Sequence, residues 1–112
     1  LNFCIMNESI GALEETILLL VLVMQDEAYG VSVGEEYQKR TGKSISIPAI
    51  HTVLKRLENK GFLTSSMGGA TAERGGRKKR LFEITKSGYK IIAELRDTRN
   101  DLWKLAPQFN IA

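Results

Sequence analysis

The stretch SIPAIHTVLKRLENKGFL, residues 46–63, decides the fold. Ser46 suits a helix cap and Pro48 is tolerated in a first turn, so the stretch predicts a helix over 48–60 that Gly61 ends. Its apolar residues recur at helical spacing and form an inward stripe of Ile50, Val53, Leu54 and Leu57. A helix with one apolar and one polar face is typical of a helix that docks on a core and reads the major groove.

The polar face of this helix supplies the candidate recognition residues. Arginine can bond guanine through two hydrogen bonds, and lysine reaches guanine or phosphate. We therefore predict DNA contacts from Ser46, His51, Thr52, Lys55 and Arg56. The alternative is an ordinary solvated helix face, on which His51 is a surface residue or packs against a neighbouring helix.

The segment ERGGRKKR, residues 73–80, lies between a predicted strand over 62–67 and a returning strand over 81–85. Glycines in the turn region, at Gly68, Gly69, Gly75 and Gly76, support a hairpin with a long basic loop. Five of the 16 Lys and Arg residues fall within 74–80, and such a dense patch attracts polyanions. The patch predicts DNA contacts from Arg74, Arg77, Lys78, Lys79 and Arg80, with Arg77 and Lys79 favoured because neighbouring strand residues face opposite sides. The alternative is a solvated loop that limits aggregation.

The remaining apolar pattern predicts helices over 9–25, 29–41 and 86–106, and a short extended piece over 44–47. The first helix is apolar nearly all round, which predicts burial on several sides. The expected caps and ends of these helices are Asn7 or Ser9, Gly42, Thr85 and Pro107. The order of elements indicates a mainly α (α+β) winged helix-turn-helix. Residues 1–85 would form the DNA-binding domain, and 86–106 a dimerisation helix in the same compact unit.

The first and last helices carry more apolar residues than a domain of 112 residues needs to cover its own core. This excess predicts a dimer interface or an effector pocket. Its expected members are Leu13, Ile17, Ile92, Leu95, Arg99, Leu102 and Trp103. Trp103 is either a packing anchor of the interface or, because indole stacks on flat rings, part of a pocket for a small aromatic compound.

Composition excludes several classes of function. Hydrophobic residues make up 43% and charged residues 26% of the chain, as in folded proteins, and the net charge is only +3. A single cysteine, Cys4, and a single histidine, His51, allow no internal disulfide and no tetrahedral metal site. With no catalytic constellation and no phosphate-binding glycine motif, we expect neither an enzyme nor a cofactor.

The longest apolar run, over 17–24, has eight residues, far fewer than the roughly 20 that a membrane-spanning helix needs. No convincing secretory signal is present. The lone cysteine fits a reducing compartment, so the expected location is the cytoplasm, with no membrane partner. The chain begins at Leu1 rather than at a methionine, which leaves the natural start open.

Three stretches in order resemble the PadR family of bacterial transcriptional regulators: LEETILLLVLVMQDEAYGVSV, SIPAIHTVLKRLENKGFL and GGRKKRLFEITKSGYKII. The resemblance implies a homodimer that binds double-stranded DNA at a roughly palindromic operator and usually represses. It also implies that the last helix joins the first in the interface, and that a small phenolic or drug-like molecule releases the DNA in some relatives. One difference is that His51 stands where the family often has tyrosine, and Pro48 and Ala49 precede it in place of a Gly-Thr or similar pair.

Because one fold serves several functions, a second hypothesis remains open: a winged-helix module that binds proteins and no DNA. Salt dependence separates the two, since DNA binding weakens steeply as salt rises.

Overall fold

The structure, a computed structural model, describes residues 10–68 and 78–111. Within these ranges the chain forms four α-helices and an antiparallel hairpin. In chain order they are α1 (Ala12–Met24), α2 (Gly30–Thr41), α3 (Ile47–Asn59), β1 (Leu63–Gly68), β2 (Lys79–Ile84) and α4 (Lys86–Leu105), with a 3-10 turn over Gln25–Glu27. The predicted winged helix-turn-helix with a long C-terminal helix is confirmed.

The helix ends follow local side-chain chemistry. The Ser46 hydroxyl accepts a hydrogen bond from Ala49 N at 3.3 Å, and the Thr85 hydroxyl accepts one from Gly88 N at 3.0 Å. Gly42 ends α2 with a φ of 75°, a backbone conformation that favours glycine. These caps and this end are confirmed.

The start of α1 differs from the prediction. The helix begins at Ala12 rather than at residue 9, and Gly11 N donates to the Glu14 carboxylate at 3.0 Å. An acidic side chain in the first turn thus satisfies a backbone donor that has no partner inside the helix. The two expected caps, Asn7 and Ser9, lie outside the described residues.

The extended piece predicted over 44–47 forms no strand: residues 44–46 belong to no helix or strand, and α3 begins at Ile47. Among the described residues the sheet has two strands, in which Leu63 pairs with Ile84 and Gly68 with Lys79. Phe82 N also donates to Ala28 O at 2.8 Å. That bond joins β2 to the segment just before α2, so the hairpin is fastened to the helical body.

One hydrophobic core is shared by the helices and the hairpin. Its fully buried members include Ile17, Leu18, Val33, Ile50, Leu54, Leu57, Phe62 and Leu63. α1 is not covered on all sides within the protomer, because Leu19 and Val23 are 43% and 60% exposed. α1 contacts α2, α3, β2 and α4, so the expected burial on several sides is confirmed, and Leu19 and Val23 lie on the side that the protomer leaves open.

The two halves of α4 differ in burial. Gly88 and Ile92 are its buried residues, and both lie in the first half. The second half exposes Leu102, Trp103 and Leu105, at 60%, 76% and 80%. α4 therefore contributes one end to the core and carries an apolar surface on the other.

Candidate nucleic-acid interface

The outer face of α3 forms an open surface groove. Its lining residues are His51, Thr52, Lys55, Arg56 and Asn59. The opposite face buries all of its apolar stripe, and Ile50 and Leu54 have no exposed surface. The predicted division of this helix into an inward and an outward face is confirmed, and four of the five predicted recognition residues lie together.

Two hydroxyls, Thr52 in this groove and Ser46 just before α3, are hydrogen-bonded to the helix backbone. Thr52 Oγ1 donates to Pro48 O at 3.0 Å, which leaves its lone pairs for an outside donor. Ser46 uses a lone pair for the cap and keeps its own hydrogen for donation. Lys55 is exposed and makes no ion pair with the described residues. Lys55 is therefore the groove's least compensated positive charge.

A buried carboxylate lies behind the end of α3. Glu14 is 7% exposed and accepts from Lys60 Nζ at 3.0 Å, while Arg56 Nη1 lies 3.8 Å from its other oxygen. Burial raises the pKa of Glu14, but the hydrogen bonds from Gly11 N and Lys60 and the charges of Lys60 and Arg56 outweigh it and lower the pKa overall. The Glu14 carboxylate thus partly neutralises the charge of Arg56.

The basic residues of β2 also have partners. Lys79 Nζ lies 4.1 Å from the centroid of the Tyr29 ring, which is within cation–π range. Arg80 Nη1 donates to Ser65 Oγ at 3.0 Å, and Ser65 Oγ donates to the Glu58 carboxylate of α3 at 2.6 Å. Lys78 is exposed. The other expected contacts, Arg74 and Arg77, and the loop glycines Gly69, Gly75 and Gly76, lie outside the described residues.

Sequence reasoning did not assign roles to Tyr29, Glu58 and Lys60, and it did not predict the ion pairs of Glu14. Glu14 carried a usable signal, because a carboxylate pair in an otherwise apolar helix must find positive partners when that helix is buried. Tyr29 carried none, since its partner Lys79 is 50 residues away in the chain.

The predicted interface or effector residues fall into three groups. Leu102 and Trp103 are strongly exposed and Leu13 is 37% exposed, whereas Leu95 is half-buried. Arg99 donates a hydrogen bond to the buried Glu15 carboxylate, which raises the Arg99 pKa. Ile17 has no exposed surface and Ile92 has 3%. The assignment of Ile17 is corrected on this ground, because a side chain enclosed by its own core offers nothing to a partner or ligand.

A groove between α1 and α4 lies beside the buried Ile92. Its lining includes the large apolar side chains of Leu19, Leu22 and Tyr89 and the charged side chains of Glu15 and Arg96. Trp103 does not line this groove. Among the described residues, no group of three His, Cys, Asp or Glu side chains is placed to hold a metal ion, and no helix is long and apolar enough to cross a bilayer.

A basic helix face beside a basic hairpin, both built on a three-helix core, defines the winged-helix class. Comparison with known structures agrees. A PadR-like transcription factor from Bacteroides fragilis matches with a TM-score of 0.69 and 22% identity over 89% of each chain. A PadR-like transcriptional regulator from Bacillus cereus matches with a TM-score of 0.68 and 22% identity over 85% of this chain and 87% of its own.

The structure of Bacillus subtilis PadR in complex with operator DNA matches with a TM-score of 0.62 and 21% identity. The match covers 88% of this chain and 50% of the Bacillus subtilis chain. No curated protein sequence matches the chain. The sequence pattern of the transcriptional regulator PadR-like family matches residues 18–94, and the chain belongs to that family. Since the family consists of transcriptional regulators, the expectation of a non-enzymatic protein is confirmed.

Proposed function

We propose that the protein is a sequence-specific regulator that binds double-stranded DNA as a homodimer, acts as a repressor in the cytoplasm, and recognises a roughly palindromic operator. The observation that carries the proposal is the open groove on α3, where His51, Thr52 and Lys55 point away from a fully packed inner face. Such a face is what a helix in the major groove requires. The operator DNA in the Bacillus subtilis PadR structure supports the same function.

The groove residues divide by chemistry. His51 and Thr52 offer hydrogen bonds to base edges, and Lys55 offers an uncompensated charge to guanine or phosphate. Arg56 faces Glu14 at 3.8 Å, so we assign it a smaller share of the DNA contacts than Lys55. We also assign a phosphate contact to the hydroxyl of Ser46, the cap residue just before α3.

The hairpin supplies affinity more than sequence choice. Lys78 is exposed just before β2, and the sequence adds Arg74 and Arg77 between the two strands. Lys79 and Arg80 have partners in the protein, so we propose that they shape the hairpin while adding positive potential. Charge of this kind acts mainly on phosphates.

Dimerisation rests on the apolar surface that one protomer leaves uncovered. Leu19 and Val23 of α1 and Leu102, Trp103 and Leu105 of α4 are all at least 43% exposed. Burial of this apolar surface against a partner is favourable, and a monomer, in which the surface stays in contact with water, does not gain that free energy. We propose that the two helices of a second copy cover it, with Trp103 as an anchor.

The same surface suits a small aromatic effector. Trp103 is 76% exposed, and an indole presents a flat face on which aromatic compounds stack. A ligand bound between two copies of α4 selects the dimer geometry that it fits, and a changed spacing of the two α3 helices releases the operator. Quenching of Trp103 fluorescence by flat aromatic compounds, together with release of bound DNA, tests this step.

Selection of bound DNA from a random pool tests the proposal as a whole. We expect an enriched palindrome whose half-sites lie about one helical turn apart. Affinity for it should fall steeply with salt, and Lys55→Gln should weaken it while Lys90→Gln, the same change on the exposed surface of α4, should not. A folded dimer that enriches no sequence even at low salt contradicts the proposal and favours the protein-binding module.

A further inference from the structure

The start of α2 touches both of the elements assigned to DNA. Tyr29 precedes the helix as its cap residue, and Gly30 is its first residue. The Tyr29 ring lies under Lys79 of β2, and the Gly30 backbone lies against the His51 ring of α3. These two contacts involve neighbouring residues and are independent of each other.

The geometry points to Tyr29 and Gly30 as positioning residues of the DNA-binding surface, Tyr29 for the hairpin through Lys79, and Gly30 for the recognition helix through His51. The inference rests on the proposed function for its consequence, which is DNA affinity. The placement of the two side chains is a separate property and is measured without DNA.

Tyr29 is itself firmly held. Its N–H donates to Ser32 Oγ at 3.0 Å, and its carbonyl accepts from Val33 N at 2.8 Å. One residue earlier, Ala28 O accepts from Phe82 N of β2 at 2.8 Å. The ring is therefore attached to a helix start whose backbone N–H and carbonyl are both hydrogen-bonded, next to a hydrogen bond that joins this segment to the hairpin.

The cation–π attraction between Lys79 and the ring exists only while the lysine ammonium lies over the aromatic face. Lys79 Nζ is 4.1 Å from the centroid, and Lys79 is half-buried while its neighbour Lys78 is exposed. A free lysine side chain samples many rotamers, and the ring reduces that sampling. Tyr29 thus holds the Lys79 ammonium in one position, where a free lysine side chain would sample many.

Gly30 affects His51 because it has no side chain, and the His51 ring occupies the space that a Cβ would fill. A Cβ at this position would lie 2.5 Å from His51 Cε1 and 2.7 Å from His51 Nε2, which is closer than atoms can approach. His51 is exposed, so an alanine here is accommodated by swinging the ring away rather than by unfolding. Gly30 therefore sets where the His51 ring lies, and hence what its nitrogens reach.

Gly34 provides a matched control in the same helix. A Cβ there would lie 3.5 Å from Ile47 Cδ1 and 3.6 Å from Ile50 Cγ1, which is ordinary contact. Gly34→Ala and Gly30→Ala change the helix by the same methyl group. They differ in whether that group displaces His51.

The first experiment uses the free protein and NMR. The side-chain methylene protons of Lys79 should resonate upfield because of the Tyr29 ring current, and this shift should disappear in Tyr29→Leu but persist in Tyr29→Phe. The Lys78 protons should change in neither variant.

The chemical shift of His51 Hε1 should change in Gly30→Ala and stay the same in Gly34→Ala. A Lys79 shift that is absent, or that survives in Tyr29→Leu, overturns the Tyr29 assignment. An unmoved His51 overturns that of Gly30.

The second experiment measures affinity for the selected operator in double-mutant cycles. Tyr29→Leu should weaken binding by about two- to fivefold, and should have no further effect in Lys79→Gln, while it adds fully to Lys78→Gln. Gly30→Ala should weaken binding by about fivefold or more, and should add nothing to His51→Ala. Additivity in the Lys79 or His51 cycle contradicts the inference. If the unmutated protein binds no DNA, the proposed function fails, and the NMR shifts still decide the positioning.

Discussion

Helices α1 and α4 are both rich in apolar residues, yet the protomer buries them very differently. α1 places Ile17, Leu18 and Val21 in the core with 1% exposure or less, whereas the second half of α4 leaves Trp103 76% exposed. The difference lies in position, because α1 lies against α2, α3 and β2, whereas the residues of α4 after Arg99 are all exposed. Apolar content alone therefore does not decide whether a helix packs in the core of its own chain or leaves its apolar surface available to a second copy.

Leu18→Ala tests the α1 side of this comparison and should have the largest effect. Removing a fully buried leucine side chain costs about 2–5 kcal/mol of unfolding free energy through lost burial and a residual cavity. Denaturant unfolding at one fixed protein concentration measures it. Val31→Ala, at a 45% exposed position of α2, is the control and should stay within about 0.5 kcal/mol. Equal losses in the two variants would contradict the core position of Leu18.

Trp103→Ala tests the α4 side. If Trp103 anchors contact between two copies, its removal should raise the dimer dissociation constant by about tenfold or more, with little change in the far-ultraviolet circular dichroism of the folded protein. Sedimentation velocity over a concentration series measures the dissociation constant. Lys104→Gln, one residue along, is the control. A wild-type protein that sediments as a monomer at micromolar concentration rules out the dimer.

Glu14→Gln tests the buried charge of α1, with a smaller expected effect of about 1 kcal/mol at neutral pH. Because the folded-state pKa of Glu14 is lowered below its usual 4.5, its carboxylate stabilises the fold above that pH. The contribution is lost as pH falls through the lowered value. Unfolding measured from pH 7 to pH 3 should therefore show the wild type losing its advantage over Glu14→Gln. A difference that stays constant over this range would contradict the ion pairs with Lys60 and Arg56.

Arg99→Gln should have the smallest effect. Its partner Glu15 is buried, but the Arg99 side chain is itself 56% exposed, so water and salt screen the pair. We expect a slight fall in the midpoint of thermal unfolding that high salt abolishes. Arg96→Gln, where both members of the pair with Asp97 are exposed, should give no change. An effect as large as that of Glu14→Gln would show that screening is weaker than the exposure indicates.

Local patterns predicted the parts of the fold that local chemistry determines. The two faces of α3, the Ser46 and Thr85 caps and the Gly42 end depend on residues within one or two helical turns. The partners of Glu14, Lys79 and Arg80 join distant segments, and no periodicity encodes such pairs. The burial of Ile17 escaped prediction for a related reason, because α1 has apolar residues on every side and its sequence does not state which side faces the core.

The neighbouring carboxylates of α1 have a mechanical consequence. Glu14 is bound to Lys60 just after α3, and Glu15 to Arg99 of α4. Successive side chains on a helix point about 100° apart, so the two ion pairs restrain α1 in two different directions. A roll of α1 about its own axis stretches at least one of them, so the two ion pairs together favour one angular setting of the helix between the end of α3 and α4.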